Sequence, residues 1–217
     1  MLNTLCLHDK GEENWKVKLH LGCGGVYLTD SGTGYTNIDI DGLDARTNPV
    51  MVQANNANIS DYYAGLDGDV HHLPRRRMTV VDLQTDVTEL PYTARSVDKI
   101  VAVQVFEHLS PVRAMDALYH WRRILKDGKP LVMSVPDMLG VLDMMDEANR
   151  INLDRGIADL GFSLRHLRGR ANGGYHVHRA WYTHETLREL LEFCGFEPTA
   201  LENFHFYPAL VYRAIKR

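Results

Sequence analysis

Apolar and polar positions alternate from Lys16 to Leu21, with Val17, Leu19 and Leu21 on one side and Lys18 and His20 on the other, the period-two pattern of a strand. This strand runs straight into Gly22-Cys23-Gly24-Gly25. A second apolar stretch, Tyr35 to Ile40, ends among the acids Asp39 and Asp41, about 15 to 20 residues beyond the glycines and near the spacing of a nucleotide-binding fold. Thr79 to Leu83 predicts a further strand, followed by Asp86 and the turn Leu90-Pro91-Tyr92. Lys99 to Phe106 is almost continuously apolar and β-branched, as expected of a parallel strand covered on both faces, and is the candidate central strand. Ser110-Pro111 then supplies an N-cap and a first-turn proline to a helix that carries Met115, Leu118 and Leu125 and stops before Asp127-Gly128. Pro130 to Val135 predicts another strand ending at Pro136-Asp137. Thr183 caps a helix whose Leu187, Leu190, Leu191 and Cys194 recur at helical spacing, with Gly195 as its stop, and Phe206 to Ile215 closes the chain as a strand.

Strands alternating with helices predict an α/β fold, a Rossmann-like three-layer sandwich whose sheet is mostly parallel. Right-handed crossovers place ligands at the carboxyl ends of such strands, where the segments starting at Gly22, Asp39, Asp86, Gln104 and Pro136 converge. The Asn-, Asp- and Gly-rich stretch from 42 to 78, with His71, His72 and Arg75 to Arg77, is long for a connection and reads as an insertion, as does 138 to 180. Both would shape a substrate site.

A chain of 217 residues suits a single domain. With 45% hydrophobic and 24% charged residues it can bury a core and lies outside the disordered class. The net charge of -4 provides no general positive field, so a nucleic-acid partner is not expected. Three cysteines, Cys6, Cys23 and Cys194, are too far apart for a paired metal motif and suit a reducing cytoplasm. No apolar run reaches the roughly 20 residues that cross a bilayer, so membrane insertion is not expected either.

Glycines after a strand let the backbone approach a ligand closely, although a plain tight turn uses the same residues. The G-x-G-G run here puts the third glycine out of register with the dinucleotide fingerprint, which disfavours a nicotinamide dehydrogenase. Lys18 to Gly25, Asn37-Ile38-Asp39, Thr85 to Tyr92, Ser96-Val97-Asp98, Val105 to Leu109 and Arg123 to Gly128, in that order, resemble the class I S-adenosylmethionine-dependent methyltransferases, closest to the branch that methylates small molecules. His178 to Phe196 is similar to that family's last helix and the start of the strand after it.

The resemblance implies a seven-stranded sheet with an antiparallel last strand, and S-adenosylmethionine as cofactor with S-adenosylhomocysteine as product. It implies that Leu21, Gly22, Cys23 and Gly24 hold the methionine end, and that Asp39, with Ile40 beside it and Asp41 as the alternative, takes the ribose hydroxyls. By the same likeness Asp86 reaches the adenine amino group, Val87 contacts the ring, and Gln104 and Val105 flank the sulfonium. The competing role of Asp39 and Asp86 is to cap their own loops. Lys126-Asp127-Gly128-Lys129 stands where the family has Lys-Pro-Gly-Gly, a change confined to a turn.

Methyl transfer needs alignment of a nucleophile with the S–CH₃ bond, and an acceptor hydroxyl also needs a base. Among 11 histidines, His178 is the leading candidate base, His176 the second, and His108, after Glu107, either a base or a residue that shapes the site. Loop-to-sheet hydrogen bonding is the alternative for His176 and His178. Tyr175, Arg165 and Arg179 are candidate contacts to a small polar, anionic substrate, although an Arg cluster with His166, Arg168 and Arg170 also suits a solvated helix face. His71, His72, His176 and His178 offer imidazoles, but no carboxylate or cysteine stands at ligand spacing, so no metal is expected. A cofactor-binding regulatory module and a macromolecule-directed methyltransferase are the rival functions; Gln104-Val105-Phe106-Glu107 differs from the Asn/Asp-Pro-Pro-aromatic motif of base amino-methylating enzymes.

Overall fold

The computed structural model describes residues 16–24, 26–29, 34–41, 69–70, 80–150, 177–201 and 208–217. Nine strands are present among them: β1 Lys18–Leu21, β2 Leu28–Thr29, β3 Tyr35–Asp39, β4 Asp69–Val70, β5 Leu83–Gln84, β6 Lys99–Val103, β7 Pro130–Pro136, β8 Phe196–Ala200 and β9 Ala209–Lys216. Three helices accompany them, α1 Pro111–Ile124, α2 Met138–Arg150 and α3 His184–Phe193, with a 3₁₀ turn at Phe106–His108. Seven strands form one sheet in the order β5-β3-β1-β6-β7-β9-β8, and β2 pairs with β4 in a separate ribbon. β1, β3, β5, β6 and β7 run parallel, while the last strand, β9, is antiparallel to both β7 and β8. The expected Rossmann-like α/β sheet is therefore what the chain forms.

All five residues of β6 are buried, and their alternation divides the core. Ile100 and Ala102 join Leu19, Leu21, Leu131 and Met133 beneath α1 and α3, which contribute Leu118, Trp121, Leu187 and Leu191. Val101 and Val103 face the opposite side with Val132, Val211 and Leu28. The α1 residues Ala114, Ala117, Leu118, Trp121 and Ile124 are all buried, following the three-and-four spacing of one helix face. Trp121 donates its indole N–H to the carbonyl of Val87 at 2.8 Å, which ties the helix to the loop after β5.

Several boundaries differ from the pattern-based expectation. The central strand stops at Val103 rather than Phe106, because Gln104 turns the chain with φ at +52°. Of the expected Thr79 to Leu83 strand, Thr79 lies outside the described residues and β5 begins only at Leu83, with Val80 and Val81 buried ahead of it. Ser110 occupies the N-cap position of α1 but its side chain makes no capping bond; Pro111 at the first turn supplies the start signal. Thr183 caps α3 as expected, in a reciprocal box with Thr186. Phe206, and the 42 to 78 stretch apart from β4 at 69–70, lie outside the described residues.

Candidate active site

The strand β1 delivers Leu21 into the core and then turns at Gly22, whose φ of +61° belongs to the left-handed region. A Cβ on Gly22 would stand 2.4 Å from Cγ2 of Val105, so the turn is packed directly on the residue that follows the central strand. Gly24, at φ +51°, differs: a Cβ there would meet nothing within 4 Å. Its N–H donates to Oδ2 of Asp39 at 2.8 Å, while Oδ1 of Asp39 accepts from the N–H of Asp41 at 3.2 Å. Cys23 is buried, and its N–H donates to the carbonyl of Ile38 at 3.1 Å, so the turn remains in register with β3. The carbonyl of Ile40 accepts from the side chain of Gln84. The glycine turn and Asp39 thus form one hydrogen-bonded unit at the carboxyl ends of β1 and β3.

Behind this unit His20 and Asn37 hold the two strands together from the opposite face. Asn37 Nδ2 donates to the Leu28 carbonyl and to Asp82, which fixes its Oδ1 as an acceptor from the Leu28 N–H and from Nδ1 of His20 at 2.9 Å. Full burial lowers the His20 pKa to about 4, opposed by the Asn37 hydrogen bond, so the ring is neutral at pH 7.

Asp86 and Val87, the adenine contacts that the resemblance implies, stand in the loop after β5. Asp86 Oδ1 accepts from the backbone N–H and hydroxyl of Thr88 at 2.9 and 2.7 Å, and Oδ2 accepts from Arg113 at 2.6 Å. Burial works against its ionisation, but the Thr88 and Arg113 contacts win and hold the carboxyl below its ordinary range. Asp86 therefore closes its own loop and ties it to α1, and Val87 packs in the core.

At the end of β6, Gln104 donates from its side-chain amide to Ser134 Oγ at 2.9 Å and from its backbone N–H to the Ser134 carbonyl. A left-handed non-glycine residue costs about 1 kcal/mol or more and gathers at functional sites. The 3₁₀ turn that follows buries Glu107, whose side chain is 1% exposed and whose carboxylate oxygens accept no hydrogen bond. Desolvation pushes this carboxyl up to about 8, only partly offset by the nearby N–H of its own backbone, which is not in hydrogen-bond geometry. The Glu107 carbonyl accepts from the N–H groups of Arg179 and Ala180 at 2.8 and 3.2 Å, which docks the late segment onto the central strand's end. His178 is thereby brought to Glu107, with Nε2 3.8 Å from Oε1, and His108 Nε2 lies at the same distance from that oxygen. The two imidazoles meet edge to face at 4.8 Å between centroids. The sequence pointed to both histidines and to Glu107 only as the residue before His108 in a pair that shapes the site; a carboxylate directly after a buried strand was the signal for a role of its own.

Arg179 is exposed and, with Pro111, Met115, Trp181, Thr186 and Leu190, borders a cleft of about 430 Å³. This cleft adjoins the Glu107 segment but does not include the glycine turn. Tyr175, His176 and Arg165, with His166, Arg168 and Arg170, lie outside the described residues.

A family model described as "Methyltransferase domain" matches residues 19–133, more than half of the chain, from the middle of β1 to the middle of β7. The chain belongs to the methyltransferase-domain family. The matched span contains the glycine turn, Asp39, Gln104 and Glu107, and the methyl donor of this class I fold is S-adenosylmethionine. No curated protein sequence matches the chain. Among solved structures, it is similar to a 1,6-didemethyltoxoflavin-N1-methyltransferase of Burkholderia thailandensis holding 1,6-didemethyltoxoflavin and S-adenosylhomocysteine, at 18% identity and TM-score 0.50, covering 92% of this chain and 70% of that one. It is also similar to a SAM-dependent methyltransferase of Archaeoglobus fulgidus at 14% identity and TM-score 0.53, covering 94% and 87%. At these identities the likeness is one of fold, and this methyltransferase shares that fold. No helix among the described residues is long and apolar enough to cross a membrane.

Proposed function

We propose that the protein transfers the methyl group of S-adenosylmethionine to an oxygen or nitrogen of a small polar, anionic molecule in the cytoplasm, as one domain in which the 42 to 78 and 138 to 180 stretches shape the substrate site. The observation that carries this reading is the open space over Gly24 beside Asp39, within the span that matches the family. When bound, the cofactor supplies a methyl group on a cationic sulfur, and the acceptor's lone pair takes the methyl carbon while the sulfur keeps the electrons of the broken bond. The chain's own residues bind and orient. A carboxylate offers about four acceptor positions, and Asp39 spends two on the N–H groups of Gly24 and Asp41, which leaves two for a pair of ribose hydroxyls. Leu21, Gly22, Cys23 and Ile40 set the path of this corner. Gln104 and Val105, turned sharply out of β6, border the position where the methyl group would be presented.

For a hydroxyl acceptor, the group formed by Glu107, His108 and His178, which stands three residues beyond the Gln104 turn, promotes loss of the proton. Arg179 at the neighbouring cleft, together with Tyr175, Arg165 and His176 of the preceding stretch, suits recognition of an anionic acceptor by charge and hydrogen bonding. A small acceptor is supported by the Burkholderia structure of the same fold, which holds a small molecule beside S-adenosylhomocysteine.

Calorimetric titration with S-adenosylhomocysteine, followed by measurement of its formation from S-adenosylmethionine across a panel of small anionic metabolites, tests the reading. Saturable binding and turnover on a panel member are the expected results. Failure to bind would remove it, and binding without turnover on small acceptors, or turnover only on a macromolecule, would replace it with the corresponding rival.

A further inference from the structure

The geometry points to a divalent transition-metal site formed by Glu107, His108 and His178, with its open side turned to the methyl acceptor. One ligand atom from each residue lies within 4.8 Å of the other two. First-row divalent ions hold such atoms at about 2.0 to 2.2 Å, so neighbouring ligands on one ion are about 3 to 3.5 Å apart. The 3.8 Å separations from Glu107 Oε1 to both Nε2 atoms need only small side-chain rotations to close on an ion. Sequence spacing offered no carboxylate to the histidines; the fold supplies Glu107 from a position 71 residues before His178.

Hydrogen-bond accounting argues for a cation at this point. The Val177 carbonyl can only accept, so Nδ1 of His108, 3.2 Å away, is the donor, and the neutral ring then presents a lone pair at Nε2 toward Glu107. A lone pair thus faces a carboxylate oxygen that accepts no hydrogen bond and is buried away from water. At 3.8 Å the two atoms are too far apart for a proton on Glu107 to bridge them, whereas a bound cation between them would meet both. The Nδ1 contact to a carbonyl is also the usual outer support that orients a metal-bound imidazole. Two histidines and one carboxylate leave coordination positions open, and with His108 21% exposed against 8% for His178 and 1% for Glu107, the open side lies toward His108.

Bound there, the ion would take an acceptor oxygen as a further ligand and lower its proton affinity, so that its lone pair is available for the methyl carbon and its proton passes to solvent. This use of the ion rests on the methyl-transfer reading; the ion's binding does not.

The test uses full-length protein freed of metal with a chelator, titrated with Co²⁺ under visible spectroscopy and then challenged with Zn²⁺. One equivalent of Co²⁺ with ligand-field absorption, displaced by Zn²⁺, is expected, together with a rise in melting temperature on Zn²⁺ addition. Glu107→Gln, His108→Asn and His178→Asn should each weaken Co²⁺ binding by at least about tenfold and lose the melting shift. Glu107→Gln removes a buried acid without changing its shape, so it should fold at least as well as the wild type, and S-adenosylhomocysteine binding checks the fold of all three variants. No saturable Co²⁺ uptake, or uptake unchanged in the three variants because other histidines bind it, would overturn the inference. S-adenosylhomocysteine binding without metal uptake defeats the metal site alone; metal uptake without S-adenosylhomocysteine binding defeats the methyltransferase reading alone.

Discussion

Gly22 and Val105 are in such close packing that a single added methyl group on the glycine would stand 2.4 Å from the valine's Cγ2. Gly22→Ala therefore combines left-handed strain of about 1 to 2 kcal/mol with overpacking of about 1 to 3 kcal/mol. Gly24→Ala carries only the strain, because nothing lies within 4 Å of the new methyl. Thermal unfolding should show Gly22→Ala as clearly the less stable of the two. Calorimetry should show that Gly24→Ala loses affinity for S-adenosylhomocysteine out of proportion to its stability loss, since its methyl occupies space assigned to the cofactor. Equal affinity for Gly24→Ala and wild type would take the cofactor away from this corner.

Asp39→Ala should weaken S-adenosylhomocysteine binding by about 1 to 3 kcal/mol, the usual cost of leaving polar partners unmatched. The same change strands the Gly24 N–H that Asp39 now accepts, so Asp39→Asn, which keeps an acceptor there, separates turn geometry from ribose contact. Affinity unchanged in Asp39→Ala would move the ribose role to Asp41.

His20 should make the fold sensitive to mild acid. Its pKa is about 4 when folded against 6.5 in the open chain, so the unfolded state binds the proton more readily between those values. Stability is complete above pH 6.5 and falls as pH drops toward 4, by up to about 3 kcal/mol at 1.36 kcal/mol per unit. Asp98 acts in a lower window. Burial raises its pKa, but Lys126 and the N–H groups of Val17 and Lys16 lower it further, so its contribution is present above its ordinary value of 3.8 and is lost below it. Urea unfolding at pH 7 and pH 5 measures the first effect. His20→Gln, which keeps a donor for Asn37, should flatten that difference, and an unchanged pH dependence would refute the assignment.

Thr183→Ala removes the hydroxyl that accepts from the Thr186 N–H at 3.2 Å and one half of the capping box of α3. A loss of about 1 kcal/mol is expected in chemical denaturation. A larger loss would show that the cap also secures Tyr182, which bridges to Asp137 at the end of β7.

Much of this fold is written in short-range pattern. The buried run of β6, the glycine turn after β1 and the capped α3 each announce themselves within a few residues, because period, turn chemistry and capping are local properties. What escaped is non-local. Nothing near Asp86 in the chain announces Arg113, 27 residues on, which the fold places against its carboxylate. Ser110 has the right chemistry for a cap, yet its hydroxyl makes no such bond. The partnership of Glu107 with His178 depends on backbone pairing that no spacing rule reports, and it changes the expectation of a metal-free site into the opposite inference.

The two N–H groups that grip the Glu107 carbonyl come from Arg179 and Ala180, immediately after His178. This clasp uses main-chain atoms only, so it tolerates almost any change of side chain on either partner. On the proposed reading, variation in the residues just upstream would retune which molecules are accepted while the acid and imidazoles keep their mutual alignment, a division of labour that suits a scaffold adapted repeatedly to new chemistry.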